Sequence, residues 1–141
     1  MNEEALGEEL RRSLGELVRA VRAADTMPPG EAAILGFLDR GGPLTTADLA
    51  RLRGVTHQSA AKSVKDLSAG GLVHGEQHPA DGRKLLLHLT DAGRARLQRE
   101  RTLRAGALGA AIRETFDPDE RRRLSESVTL LSRLTARLTG H

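Results

Sequence analysis

Two groups of side chains carry the clearest chemistry in this sequence. Gln58, Ser59, Lys62 and Lys65 lie close together, and Arg83 and Lys84 follow them. All are hydrogen-bond donors or cations. A glutamine amide can pair with adenine, a lysine can donate to guanine or phosphate, and a serine can touch a base edge or a phosphate. An arginine at an exposed tip suits a narrow minor groove, where A·T tracts concentrate negative potential. Thr56 and His57 precede the first group and Ala61 sits inside it, giving a face of small, polar and basic residues. The plainer reading is a solvated helix face and a soluble turn.

Such side chains are useful only if something rigid holds them. Thr45 followed by Asp48 spells a capping box, and Leu49, Ala50 and Leu52 supply an apolar face for a short helix. Gly54 supplies the turn. Thr56 caps a second helix predicted over 57–69, whose buried stripe is Ala60, Val64 and Leu67. Small Ala50 suits a close, steep crossing of the two helices. Gly70-Gly71 ends the second helix. Leu72-Val73 begins a strand, and the alternation of Leu85, Leu87 and Leu89 marks its partner with one packed face. The connecting tip runs from His78 to Lys84, and Asp81 in it can bond loop amides or pair with Arg83. Helix, turn, helix and hairpin in this order form a winged helix-turn-helix lobe.

The motifs Leu49-Ala50, Gly54-Val55-Thr56, Leu67, Gly71-Leu72-Val73, Asp81-Gly82-Arg83, Leu89-Thr90 and Ala92-Gly93 carry a resemblance. The chain resembles the MarR family of winged-helix transcriptional regulators over nearly its whole length. The resemblance implies a homodimer on a pseudo-palindromic operator of double-stranded DNA, usually as a repressor. It implies that the 57–69 helix reads the major groove and Arg83 reaches the minor groove. It also implies a short strand near Leu44, intertwined terminal helices of two subunits, and a small-molecule effector in the cleft beside them. The chain departs from the family pattern at Ala60, Ser63, Asp66 and Gly75, which bears on DNA contact more than on fold.

Composition narrows the alternatives. The chain has 141 residues and a net charge of only +3, but residues 51–104 carry 11 Lys/Arg against 5 Asp/Glu. Residues 1–50 carry 5 against 9 and residues 105–141 carry 6 against 5. Positive charge is thus gathered where a DNA footprint requires it. Phe37 and Phe116 are the only aromatics, which argues against single-strand or RNA binding by base stacking. The absence of cysteine excludes disulfides, thiol catalysis and thiol-based oxidant sensing. No apolar run of about 18 residues is present, so no membrane segment is expected. The acidic, amphipathic start is unlike a signal peptide, which points to the cytoplasm.

The flanks read as helices. Residues 3–24 place Leu6, Leu10, Leu14, Leu17, Val18 and Val21 on one stripe, either a dimer seam or intramolecular core. Glu8 and Arg12 form a four-residue ion pair worth ~0.3 kcal/mol. Pro28-Pro29 breaks the chain before a helix over 31–40. Thr90 caps a long helix from Asp91 to about Thr115, with Arg94, Arg96, Arg99, Arg101 and Arg104 on a solvated face and one or two of them on phosphate. Gly106 and Gly109 in it mark a bend or close packing. Asp117-Pro118-Asp119-Glu120 starts a last helix with Leu124, Val128, Leu131, Leu134 and Leu138 on one side.

The expected architecture is mostly α with a small β-hairpin. Residues 28–104 form the winged lobe, with its reading helix at about 57–69 and its wing at about 72–89. Residues 1–27 and 105–141 supply dimerisation helices within one domain. The expected site is Thr56, His57, Gln58, Ser59, Ala61, Lys62, Lys65, Arg83 and Lys84. No nucleophile elbow, phosphate-binding glycine loop or placed carboxylate pair is present, so no enzyme and no cofactor are expected. His74, Glu76, His78 and His88 on the wing are weak metal candidates, because their spacing is no recognised zinc signature and lacks thiolates; the fifth histidine is His141. Two alternatives remain: a winged-helix interaction module without specific DNA reading, and a metal-responsive regulator.

Overall fold

A computed structural model describes residues 1–140, and His141 lies outside them. The chain forms two compact units, Met1–Arg104 and Ala105 onward, and is mostly helical with one two-stranded hairpin.

Local capping sets most helix ends in the first unit. Helix α1 spans Glu3–Val21 behind the Asn2 cap and passes into a 3-10 turn at Arg22–Ala24, so the single helix expected over 3–24 tightens at its end. Glu8 pairs with Arg11, not with Arg12: the three-residue spacing brings Arg11 Nη2 to 2.6 Å. Helix α2 spans Pro29–Gly41, starting two residues early because the fixed φ of Pro29 suits a first helical turn. Helix α3, Thr46–Arg53, has the expected capping box: Asp48 N–H donates to Thr45 Oγ1 at 3.1 Å and Thr45 N–H to Asp48 Oδ2 at 3.0 Å. Gly54 ends it in the left-handed region at φ 66°, a conformation that disfavours a side chain. Helix α4, His57–Ala69, is capped by Thr56, whose Oγ1 accepts from Ser59 N–H at 3.1 Å.

Strands β1 (Val73–Gln77) and β2 (Leu85–Leu89) pair antiparallel, with Val73 opposite Leu89 and Gln77 opposite Leu85. The strand expected near Leu44 is a single bridge to Leu87, with bonds of 2.8 and 3.3 Å. Ile34, Leu35, Leu49, Leu67, Val73, Leu87 and Leu97 meet in one core, joined by Ala32, Leu38 and Met27. Two expected core residues lie outside it. Leu52 and Leu85 are more than half exposed: periodicity gives the face of an element but not how far the core extends beneath it. Leu85, near the hairpin tip, is past the end of that cover. The apolar stripe of α1 contributes no buried residue, and Leu6, Leu17 and Val18 stay exposed.

Helix α5 (Asp91–Thr115) begins against the lobe. Thr90 Oγ1 donates to Gly71 O at 2.6 Å and accepts from Gly93 N–H at 3.0 Å, while Thr90 N–H donates to Leu72 O at 3.2 Å. Gly93 is buried there, and a Cβ at this position would stand 2.0 Å from the Leu72 carbonyl oxygen.

Of the five arginines expected on a solvated face of α5, Arg94 and Arg99 are exposed, but the other three are only partly so. Arg96, Arg101 and Arg104 pair with Glu100, Asp39 and Asp25 at 3.1, 3.0 and 2.6 Å. Glu100 is fully buried. It accepts from Thr26 N–H at 2.8 Å, from the Thr26 hydroxyl and from Arg96 Nε at 3.1 Å. Burial pushes this carboxyl up, but the Thr26 hydroxyl and amide, with Arg96, outweigh burial and hold it below the ordinary 4.5. The cluster pins the 25–26 break to α5. Glu100→Ala would leave the Thr26 donors and Arg96 Nε without their buried acceptor, while Arg96 Nη2 keeps its bonds to Thr26. A loss of about 3 kcal/mol is expected, read as a lower urea midpoint at unchanged slope. A carboxyl held low stabilises the fold above the unfolded value and loses that contribution as pH falls through the folded one. The gap between wild type and variant should therefore be full at neutral pH and narrow in acid.

Helix α5 runs on through Gly106 and Gly109 to Thr115, and neither is closely packed: nothing lies within 4 Å of a Cβ at Gly106, and only the Arg113 guanidinium, at 3.5 Å, comes near one at Gly109. Helix α6 spans Pro118–Leu138 behind a reciprocal Asp117–Glu120 box, with bonds of 2.8 and 3.1 Å. It buries no residue, and Val128, Leu130, Leu134 and Leu138 are exposed. No helix among the described residues is long and apolar enough to cross a membrane.

Candidate nucleic-acid interface

Helix α4 turns Ala60 and Leu67 into the core, with Val64 partly covered. Ala61 and Ser63 are also partly covered, and the remaining residues of the helix through Asp66 are exposed. Thr56, Gln58, Ser59, Ala61, Lys62 and Lys65 line one concavity on that open side. These are six of the seven residues expected on this helix and its cap. The seventh, His57, is exposed on the first turn but does not line the concavity. Lys65 makes no ion pair among the described residues. Lys62 does: its Nζ donates to Asp66 Oδ2 at 2.9 Å. That hydrogen bond and the Asp66 charge hold the ammonium above its ordinary value, and Glu31 of α2 adds to the effect. This pairing was missed in the sequence, although the spacing of four residues on a helix is its signal.

The wing tip is closed by His78 N–H donating to Lys84 O at 2.9 Å and Lys84 N–H to Asp81 O at 3.0 Å. Both expected roles of Asp81 occur together. Its Oδ1 accepts from the Arg83 backbone N–H and from Arg83 Nε, each at 3.1 Å, and its Oδ2 from Arg83 Nη2 at 3.3 Å. Arg83, donating from side chain and backbone, holds the Asp81 carboxyl below its ordinary value, with Lys84 and His78 adding charge. The Arg83 side chain is nevertheless 91% exposed. Asp81 therefore sets its direction without covering it, and Lys84 is exposed beside it.

The four wing residues weighed as metal ligands do not converge. His74 and His88 face each other across the strands and stack with centroids 5.1 Å apart and planes at 16°. Imidazole lone pairs lie in the ring plane, so those of two stacked, near-parallel rings lie in separate planes and do not meet at one point. Their Nε2 atoms lie 3.4 and 3.2 Å from different oxygens of Glu76. His78 lies beyond β1, and its Nδ1 accepts from Ala80 N–H at 3.0 Å. Among the described residues no group of three or more His, Cys, Asp or Glu is arranged to hold a metal ion.

Residues 25–84, which contain α2 to α4 and the wing tip, match the model of the MarR family. The match takes in the helix-turn-helix and the wing tip and leaves α1, β2 and α6 outside it. Solved structures extend the MarR-like fold over both units. A protein from Pseudomonas aeruginosa described as a transcriptional regulator is 26% identical, with a TM-score of 0.80 and 94% of each chain covered. Transcriptional regulator Tm0710 from Thermotoga maritima is 20% identical, with a TM-score of 0.75 over 95% of this chain and 99% of that one. Wild-type MarR from E. coli in its apo form is 17% identical, with a TM-score of 0.68 over 93% of this chain and 97% of that one. No curated protein matches the sequence.

Proposed function

We propose that this chain is a sequence-specific, DNA-binding transcriptional regulator that acts in the cytoplasm as a homodimer, as a repressor on a pseudo-palindromic operator. The open polar and basic face of α4 carries this reading: every residue lining its concavity can meet a groove or a phosphate. Gln58 and Ser59 discriminate bases, Lys62, Lys65 and Lys84 supply charge, and Arg83 enters the adjacent minor groove. Thr56 and His57 stand at the α4 N-terminus, where backbone N–H groups favour phosphate. Two such helices related by a two-fold axis occupy successive major grooves about 34 Å apart. The winged lobes and the helices α1 and α6 then have separate tasks, groove contact and pairing. Release by a small effector would act on the spacing of the two reading helices.

Competition binding to the DNA flanking the chain's own gene, at two salt concentrations, tests the reading. Protection of an inverted repeat that survives excess random DNA is expected. Binding removed equally well by random DNA would favour an interaction module instead. Within that assay, Arg83→Ala should weaken operator binding roughly tenfold or more and lower the salt slope by about 1.8, about 0.9 for each of the two wing arginines of the bound dimer. An unchanged slope would place Arg83 away from the DNA.

A further inference from the structure

Asp66 breaks local rules on the face where groove contact is proposed. It lies in the C-terminal part of α4, where the helix dipole disfavours a carboxylate. Its partner Lys62 precedes it, the weaker order for an ion pair spaced four residues apart. Lys62 is 78% and Asp66 48% exposed at the side chain, so the 2.9 Å contact stands in water and contributes little to stability. Neither helix stability nor the core accounts for an acid here. Its effect is on Lys62, which also lines the concavity with Gln58, Ser59 and Lys65. Glu31, in the first turn of α2, adds negative charge toward the same ammonium from a second helix. A residue that costs helix stability on a binding surface is where a local rule gives way to function.

We propose that Asp66 is a specificity-determining residue: its ion pair holds Lys62 back from generic phosphate and releases it to a base-edge acceptor. A phosphate in random DNA offers Lys62 a carboxylate-like partner in exchange for the one it has, and the displaced Asp66 charge is left facing the polyanion. A guanine placed under Lys62 offers O6 and N7 at the groove floor, away from the phosphate rails. The exchange then gains a directed bond that other sequences lack. This inference rests on the DNA-binding reading above.

The test is a paired titration of the duplex carrying the protected inverted repeat and a scrambled duplex of equal length and composition, each over a salt series. Asp66→Asn keeps the shape and removes the charge. It is expected to tighten scrambled-duplex binding about tenfold and steepen its salt slope by about 2, one Lys62 freed in each subunit of the dimer. The inverted repeat should gain only two- to threefold, so the ratio between the two falls. Asp66→Glu keeps the charge within reach of Lys62 and should keep the wild-type ratio. Equal gains on both duplexes would reduce Asp66 to simple repulsion and overturn the proposal. So would a loss on the inverted repeat alone, which would make Asp66 itself a base reader, or no change. Wild-type protein that does not distinguish the duplexes would instead bring down the DNA-binding reading, and this proposal with it, before any variant is compared.

Discussion

Gly93→Ala is expected to destabilise the winged lobe by about 4 kcal/mol or more, the largest effect of any glycine-to-alanine change among the described residues. The added Cβ would stand 2.0 Å from the Leu72 carbonyl oxygen and 3.3 Å from Leu89 Cδ2. The Leu72 oxygen cannot simply swing aside, because it accepts from Thr90 N–H at 3.2 Å. Relief requires the start of α5 to lift from the junction of α4 and β1, breaking the Thr90 bonds to Gly71 and Gly93 as well. A melting temperature lower by about 12 °C is the corresponding shift for a chain of this size. Gly106→Ala in the same helix makes the contrast, since nothing lies within 4 Å of the new methyl. It should be stabilising by about 1 kcal/mol, the helix preference of alanine over glycine. Thermal melts of the two variants with opposite signs would support this account of α5. A Gly93→Ala protein as stable as wild type would contradict the close approach.

Val128→Glu is expected to separate the proposed dimer and remove most operator binding. Val128 is 57% exposed, so a carboxylate there is harmless to a single chain. Across a paired apolar face the same carboxylate would be buried without a partner, at about 3–5 kcal/mol. That corresponds to a dimer weakened at least a hundredfold. A helix of 21 residues that buries nothing of its own gains little from propensity alone, and its apolar face calls for cover. The exposed α1 residues Leu6, Leu17 and Val18 raise the same need. A monomer by sedimentation with a wild-type helical spectrum, and operator affinity reduced at least a hundredfold, is the expected pair of results. A variant that stays dimeric would move the pairing surface off α6.

What the sequence made legible was local. Thr45 with Asp48, Thr56, Gly54 and the Asp117–Glu120 box each act within a few residues, and each appears as expected. The hairpin and the open face of α4 followed from alternation and helical spacing. Contacts between distant segments were not legible. Thr26 and Glu100 lie 74 residues apart and Asp25 and Arg104 lie 79 apart, so nothing in the run of arginines told which ones face carboxylates. Leu52 and Leu85 misled for a related reason: an apolar residue on the right face still needs something above it. Asp66 stood out in the sequence as a departure from the family pattern, but its hold on Lys62 emerged only from the placed side chains.

The central claim is that two copies of the α4 face read DNA together. Selection from randomised duplexes by the purified protein tests it most directly, because it assumes no operator. The account predicts enrichment of one inverted repeat whose half-sites lie about one helical turn apart, with A·T pairs where the wing reaches the minor groove. Failure to enrich any sequence, or enrichment of a lone half-site with no repeat, would contradict it.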